Sequence, residues 1–372
     1  MKQHANKAVL FFVLLSFIPG FFLVQQEQFV ALSIWIILIT LFSLWYDWKF
    51  CLLNLTIVGF FIAFCYFVPA VKINQIVKNN FIRTPFINWI DQTTKGELNQ
   101  YLKLFLINET TKNNLYQNAL KLNIVHLFVI SGFHLSFLFN LMERFLWKRW
   151  YLNKLSGFAV LLIYLFLVGF AFSALRVFIS TLLKQVFKKQ LPEDNLSLTA
   201  LLIILISNHA LNNFGFNFSF LACFVLLFVN KLKLLKALKP LVSSSLILIV
   251  ISPLSLYLNS RLNAFSVLFN LLFSPIALFY FCVSWIILPF IGVFGQASFG
   301  IYLPLKMLSE WSLKVTVFLQ IPKPNLIFFF VYYGLLGLLY TIFTVAYYDN
   351  NLWSRYWANS PKIKSNRKQF SI

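Results

Sequence analysis

The chain has 372 residues, of which 60% are hydrophobic and only 11% charged, with a formal net charge of +21. A soluble domain carries about a quarter of its residues charged to keep its surface wet, so this composition excludes one. Lipid is the remaining place for so much apolar surface, and only self-satisfied backbones cross it. The composition therefore predicts an all-α polytopic membrane protein with about 10–12 transmembrane helices, some of them broken or re-entrant.

In chain order, Lys2 and Lys7 precede an apolar run at 8–24. No small-x-small cleavage site follows and a second span comes at once, so the run reads as an uncleaved anchor. Spans at 29–46 and 50–71 complete an N-terminal membrane region, 1–71. Residues 72–121 form the one sizeable aqueous segment, an extracytoplasmic loop with seven Lys or Arg against three acids. Its second half, YLKLFLINETTKNNLYQNALKLN, has apolar residues at helical spacing and is expected to lie along the membrane surface.

A channel-sized domain, 122–348, follows, with spans expected at 124–142, 155–172, 174–187, 196–211, 214–230, 241–258, 264–280, 283–305 and 325–348. Between 264 and 305, Pro275, Pro289 and Pro304 alternate with Gly292, Gly295 and Gly300, so broken or re-entrant helices are expected there. A basic cytoplasmic tail occupies 349–372.

Charge has two readings, nucleic-acid binding and membrane orientation. Basic loops lie at 144–154, 184–189 and 231–239, and the tail adds Arg355, Lys362, Lys364, Arg367 and Lys368. With twelve spans and both termini in the cytoplasm, all four clusters fall on one side, so orientation accounts for much of the excess. Cys51, Cys65, Cys223 and Cys282 sit in apolar runs without a CxxC pair and read as small buried residues. His4, His126, His134 and His209 are the only histidines, and they imply neither a metal site nor a cofactor.

Three apolar stretches hold polar residues that lipid rejects. The first is HLFVISGFH, His126 to His134, where a helix puts the two His about 80° apart with about 12 Å of rise. Ser131 and Gly132 between them are placed to loosen the helix. The second is SALRVFISTLLK, where Ser173, Arg176, Ser180 and Lys184 recur at spacings of three, four and four on one face. An Arg near mid-span costs about 3 kcal/mol on insertion scales and so faces protein, water or an anion. Such a stripe suits a phosphodiester chain, and equally an interfacial helix with snorkelling cations. The third is NNFGFNFSFLA, where Phe214, Phe216, Phe218 and Phe220 alternate. Aromatic platforms suit single strands, whereas core or lipid-facing Phe is the plainer reading.

Together these segments resemble the membrane competence domain of the ComEC family, channels that carry single-stranded DNA into bacteria during transformation. The family's HLxxISGxH motif is matched at His126, Leu127, Ile130, Ser131, Gly132 and His134. Its Ser-Ala-Leu-Arg signature is matched at Ser173 to Arg176. Its Gly-Phe-Gln-Leu-Ser-Phe signature stands as Gly215, Phe216, Asn217, Phe218, Ser219 and Phe220, and an Asn-x4-Pro element lies at Asn270 and Pro275. Order and spacing agree over roughly 98–280. Val177 and Ser180 replace the usual Ala and Met, and Phe214 replaces a Pro. The 72–121 loop is short for the OB-fold that many relatives carry, and only about 25 residues follow the last span, so the resemblance implies the bare channel without a metallo-β-lactamase-like domain.

The resemblance implies a non-enzymatic channel component of the cytoplasmic membrane that takes up single-stranded DNA. Ser173, Arg176, Ser180, Lys184, Phe216, Asn217, Ser219 and Phe220 would form the DNA path. His126, Ser131, Gly132, His134, Asn270 and Pro275 would form the gate. Partners would be single-stranded DNA, membrane lipids, a separate DNA receptor, a nuclease, a cytoplasmic motor and further copies of the chain. A permease or lipid-linked transporter for another anionic cargo is the alternative. An intramembrane serine hydrolase, with Ser131 as nucleophile and His209 or His126 as base, is the remote one, since Val129 and Ile130 stand where a small residue would help an oxyanion hole.

Overall fold

The structure is a computed structural model. It describes residues 12–14, 16–19, 29–46, 48–68, 80–110, 113–128, 132–145, 150–188, 190–232, 234–325, 328, 331–337, 339–340 and 343. More than half of the expected span at 8–24 and half of that at 325–348 lie outside these residues, as do the basic tail and Ser131. The chain divides into two compact units, Met1–Ala63 with Asn325–Ile372, and Phe64–Pro324.

The first unit holds α1 (Phe29–Tyr46) and most of α2 (Trp48–Phe67). Both are apolar all round, which suits lipid on one side and protein on the other. One polar residue ties the unit together. Asn54 Nδ2 donates to Ser16 Oγ at 3.2 Å and to Ser43 Oγ at 3.0 Å, and Trp35 Nε1 donates to the Ser16 carbonyl at 3.0 Å. A buried amide needs such partners when no water is at hand.

The second unit begins with three helices in the segment expected as an outer loop: α3 (Arg83–Thr93), α4 (Gly96–Ile107) and α5 (Asn114–Lys121). The expected surface-lying helix is corrected here. Asn108, at φ 59°, breaks the stretch in two, and only α5 is strongly amphipathic. The α4 residues Leu102, Leu104, Leu106 and Ile107 are fully buried. The reason is in the run LKLFLI, where apolar residues surround the single Lys103 and cover most of the helix circumference. Phe105 packs on Phe128 and Tyr302 at centroid distances of 6.1 and 6.3 Å, and Tyr164 Oη donates to the Leu106 carbonyl at 3.0 Å.

Next come α6 (Val125–Phe128), α7 (Gly132–Phe145) and α8 (Trp150–Leu167). Gly157 of α8 admits the Phe139 ring of α7, which would stand 2.8 Å from any Cβ there. α8 ends where Gly169 and Phe170 both take positive φ, 64° and 56°. A left-handed conformation is costly for Phe, and the joint leads straight into α9 (Phe172–Val186), the helix of the basic stripe. α10 (Pro192–Ile206) opens with Pro192 at its first turn and Glu193 and Asp194 beside it, where a proline and acids both favour a helix start. A 3₁₀ turn at Asn208–Asn212 leads to α11 (Phe214–Lys231), capped by Asn213, whose Oδ1 accepts from the Gly215 and Phe216 amides.

α12 (Lys239–Asn259) and α13 (Ser266–Ile287) follow, with β1 (Arg261–Asn263) between them. The expected boundary between spans at 264–280 and 283–305 is corrected. One apolar run, Ser266–Val293, passes through Pro275 and reaches into the short α14 (Ile291–Phe294). The true break comes at Gly295, with φ 51°. The chain then returns as a 3₁₀ stretch, Gly295–Ile301, and α15 (Leu303–Val315), which ends at β2 (Phe318–Gln320). Tyr280 Oη donates to the Ile301 carbonyl at 3.1 Å, and Ser284 Oγ shares a 2.7 Å bond with Tyr302 Oη. β1 and β2 pair antiparallel, with Leu262 opposite Leu319. The return leg thus ends where the outgoing leg began. The sequence hid this because Lys306, Glu310 and Lys314 on α15 dilute its hydropathy.

The protein is an all-α integral membrane protein. Among the described residues, four helices are long and apolar enough to cross a membrane: Val125–Arg144, Phe214–Lys231, Lys239–Leu258 and Ser266–Val293. By contrast α9 and α10, where spans were also expected, have 15 residues each, about 22 Å of helix against a hydrocarbon core of about 30 Å.

Candidate functional site

Arg176 lies in the second turn of α9, where three motifs that are far apart in sequence meet. Its Nη1 donates to the Ser219 carbonyl of α11 at 3.3 Å. Its Nη2 occupies the space that a Cβ on Gly132 of α7 would fill. Its Nε, also shielded from solvent, has no hydrogen-bond partner. Among the described residues no carboxylate forms an ion pair with it. A guanidinium has five donors, and leaving donors unmade away from water costs about 1–3 kcal/mol per group. The arrangement is that of a cation held in place by shape and short of acceptors.

The other residues of the stripe fare differently. Ser173 is partly buried near the start of α9. Ser180 Oγ donates to Asn195 Oδ1 of α10 at 2.6 Å, and Asn195 Nδ2 donates back to the Ser180 carbonyl at 3.4 Å. That reciprocal pair fixes α9 to α10, so Ser180 is committed to packing. Lys184 is exposed in the last helical turn, where a cation also suits the negative end of the helix dipole.

Of the two readings of the alternating phenylalanines, Phe216 and Phe220 take the plainer one, that of core residues. Their rings lie 4.4 Å apart, Phe216 also meets Phe172 at 6.0 Å, and the two are only 2% and 5% exposed. A base has no open face to stack on; these rings hold α11 against α9 instead. Asn217 Nδ2 donates to the Leu211 carbonyl at 2.9 Å and closes the turn before α11. Ser219 contributes its backbone oxygen to Arg176.

The two histidines of the first motif stand on either side of residues 129–131, which lie outside the described residues. His126 lies on short α6, partly buried, and Ser131 falls outside the described residues. His134, on α7, is 2% exposed, with its ring 4.7 Å from Phe281 and a hydrogen bond to the backbone of Ala277. It therefore ties α7 to α13, the helix that carries the fourth motif. On α13, Asn270 is buried with no partner for its Oδ1, and Pro275 sits inside the helix, where its missing N–H frees a carbonyl one turn earlier. His209 sits in the 3₁₀ turn before α11, which also receives the Asn217 side chain. The four cysteines are free thiols, buried or partly so, as their apolar surroundings predicted.

Sequence reasoning missed three polar contacts that position these helices. Arg83, 3% exposed, donates from Nη1 to the carbonyls of Ile107 and Leu167 at 2.8 and 2.9 Å, and from Nη2 to Glu109 at 3.0 Å. It caps the C-terminal ends of α4 and α8 at once, immediately before the joint into α9. Asn80 adds a bond from Nδ2 to the Phe166 carbonyl at 2.7 Å. Glu193, fully buried at the start of α10, pairs with Lys231 at the end of α11.

Two curated proteins match almost end to end. An uncharacterized protein of Mycoplasma genitalium is 99% identical over 367 residues, covering 99% of this chain and 100% of that one. Its homologue in Mycoplasma pneumoniae is 61% identical over 358 residues, covering 96% of this chain and 97% of that one. No solved structure matches the chain. A family model described as competence protein matches residues 108–345, a stretch that contains Gly132, Arg176, Ser219, Asn270 and Pro275. The chain belongs to the competence protein family.

Proposed function

We propose that this protein is the membrane channel component through which single-stranded DNA crosses the cytoplasmic membrane, and that Arg176 is its phosphate contact. The observation that carries the reading is the acceptor-poor guanidinium of Arg176 at the meeting point of α7, α9 and α11, with no acid paired to it among the described residues. A cation so placed selects for negative charge, and a guanidinium suits the paired oxygens of a phosphodiester. Ser173 shares the α9 face with it, and exposed Lys184 continues that face towards one end. Phe216, Asn217 and Phe220 shape the path by holding α11 rather than by stacking on bases. The gate is assigned to the segment His126–His134 with Asn270 and Pro275, since His134 joins α7 to the proline-bearing helix.

In this reading the protein acts as a channel and not as an enzyme. A receptor outside, a nuclease that leaves one strand, a cytoplasmic motor and further copies of the chain are the partners it would need. The test is uptake of labelled DNA per molecule of inserted protein in cells carrying Arg176→Ala. Loss of uptake at normal protein levels is expected; uptake equal to wild type removes Arg176 from the path.

A further inference from the structure

Gly132 and Arg176 compete for one volume. A Cβ on Gly132 would overlap Arg176 Nη2 and would stand 3.0 Å from Cζ and 2.9 Å from Val177 Cγ2. The guanidinium thus lies against the backbone of α7 at a spot that only a residue without a side chain leaves open. Its bonds there are weak. The contact with the Ser219 carbonyl, at 3.3 Å, is beyond the usual range for N–H···O, and Nε donates to nothing. Arg83 shows what a permanent seat for the same group looks like in this chain, with two carbonyls and a carboxylate. Arg176 is placed by fit and is left with donors to spare.

We propose that this is a stowed position: the guanidinium rests on Gly132 and leaves it to take a phosphodiester oxygen in place of the Ser219 carbonyl. Gly132 then controls the anion contact by giving the cation somewhere to wait. The inference rests on Arg176 being the phosphate contact, and it adds that the contact has two positions. A phosphodiester can come from a nucleic acid or from a lipid headgroup, and the chemistry at the guanidinium is the same for both.

Phenylglyoxal modification of arginines, mapped by peptide mass spectrometry on the full chain in dodecyl maltoside, reads the position of Arg176. Exposed Arg261 serves as the reactive reference and buried Arg83 as the fold control. Gly132→Ala evicts the guanidinium, so Arg176 should react about tenfold faster than in wild type, with Arg83 and Arg261 unchanged. An unchanged Arg176 rate with Arg83 still protected overturns the stowed position. Oligothymidylate added to the variant should restore protection of Arg176. Protection by phosphatidylglycerol alone assigns the contact to lipid, supporting the two positions and overturning the uptake reading. Protection by neither overturns the phosphodiester occupant while leaving the stowed position intact. Should Gly132→Ala unfold the protein and expose Arg83, a second pair of variants decides. Restoration by adding Arg176→Ala but not by adding Val177→Ala supports the shared volume, and any other pattern overturns it.

Discussion

Two of the arginines in the second unit, Arg83 and Arg176, pack among its helices, and their partners differ. Arg83 has three acceptors and joins the ends of α4 and α8, whereas Arg176 has one long bond to a carbonyl. Arg83→Ala leaves Glu109 and two helix-end carbonyls without their cation, so a loss of about 3–5 kcal/mol is expected, read as a lowered melting temperature in detergent. Arg176→Ala should change the melting temperature little and abolish uptake. Arg176→Lys should keep part of the uptake, because a point charge attracts phosphate without the planar fork. Lys184→Ala should keep most of it, since that side chain is exposed. Ser180→Ala should lower protein levels rather than uptake per molecule, because it strands the amide of buried Asn195. Equal losses of uptake per molecule in the Arg176→Ala and Lys184→Ala variants would return the stripe to an interfacial anchor. The sequence showed four polar residues on one face but could not rank them. Spacing reports which side of a helix a residue is on, and only the neighbouring helix decides whether it meets Asn195, a glycine or solvent.

At the scale of elements, helix positions were legible because period and polarity are local properties of the chain. The outgoing leg 266–293 and the buried α4 were misread for a common reason. Hydropathy cannot tell lipid cover from protein cover, so a wholly apolar segment such as 104–107 reads as surface-seeking when its covering helices are remote in sequence. Of the prolines and glycines expected to break helices between 264 and 305, Pro275 lies inside a continuous helix and the break falls at Gly295. The ends of α10 and α11 show how such remote cover is fixed. Glu193 is fully buried and its charge is met by Lys231, one member of a basic loop that orientation alone had explained. Lys231→Met leaves that carboxylate unmatched and should cost about 3–5 kcal/mol, while adding Glu193→Leu should recover most of the loss. Protein accumulation and detergent melting temperature measure both steps. Equal stability of Lys231→Met and wild type would mean that the pair adds nothing to the α10–α11 packing.

For the whole molecule, the question is whether the corrected legs keep the orientation that charge placement predicts. The expected topology had twelve crossings, with the basic loops inside and residues 72–121 outside. Replacing spans at 264–280 and 283–305 by an outgoing leg, 266–293, and a broken return leg, 295–315, keeps the number of crossings even. The β1–β2 pairing requires it, because Asn263 stands opposite Phe318 and both legs begin and end at one place. The second unit therefore ends, at Pro324, on the same side as in the simpler count. Lys95, just before α4, and Lys236, between α11 and α12, are both exposed, and both belong to the second unit. Val125–Arg144 and Phe214–Lys231 lie between them, with α8, α9 and α10 in the interval. If those five helices each complete a crossing, the two lysines face opposite sides. In a background with the four native cysteines replaced, Lys95→Cys should then react with an impermeant maleimide added to intact cells, and Lys236→Cys only after the membrane is opened. The short helix α9 makes this a strict test. At about 22 Å it crosses only if the surrounding helices or a thinned bilayer complete the distance. If it dips in and returns to the side it left, the parity changes and both cysteines label from outside. Arg176 would then sit at the tip of a re-entrant helix rather than inside a crossing, and the path proposed through α7, α9 and α11 would fail with it.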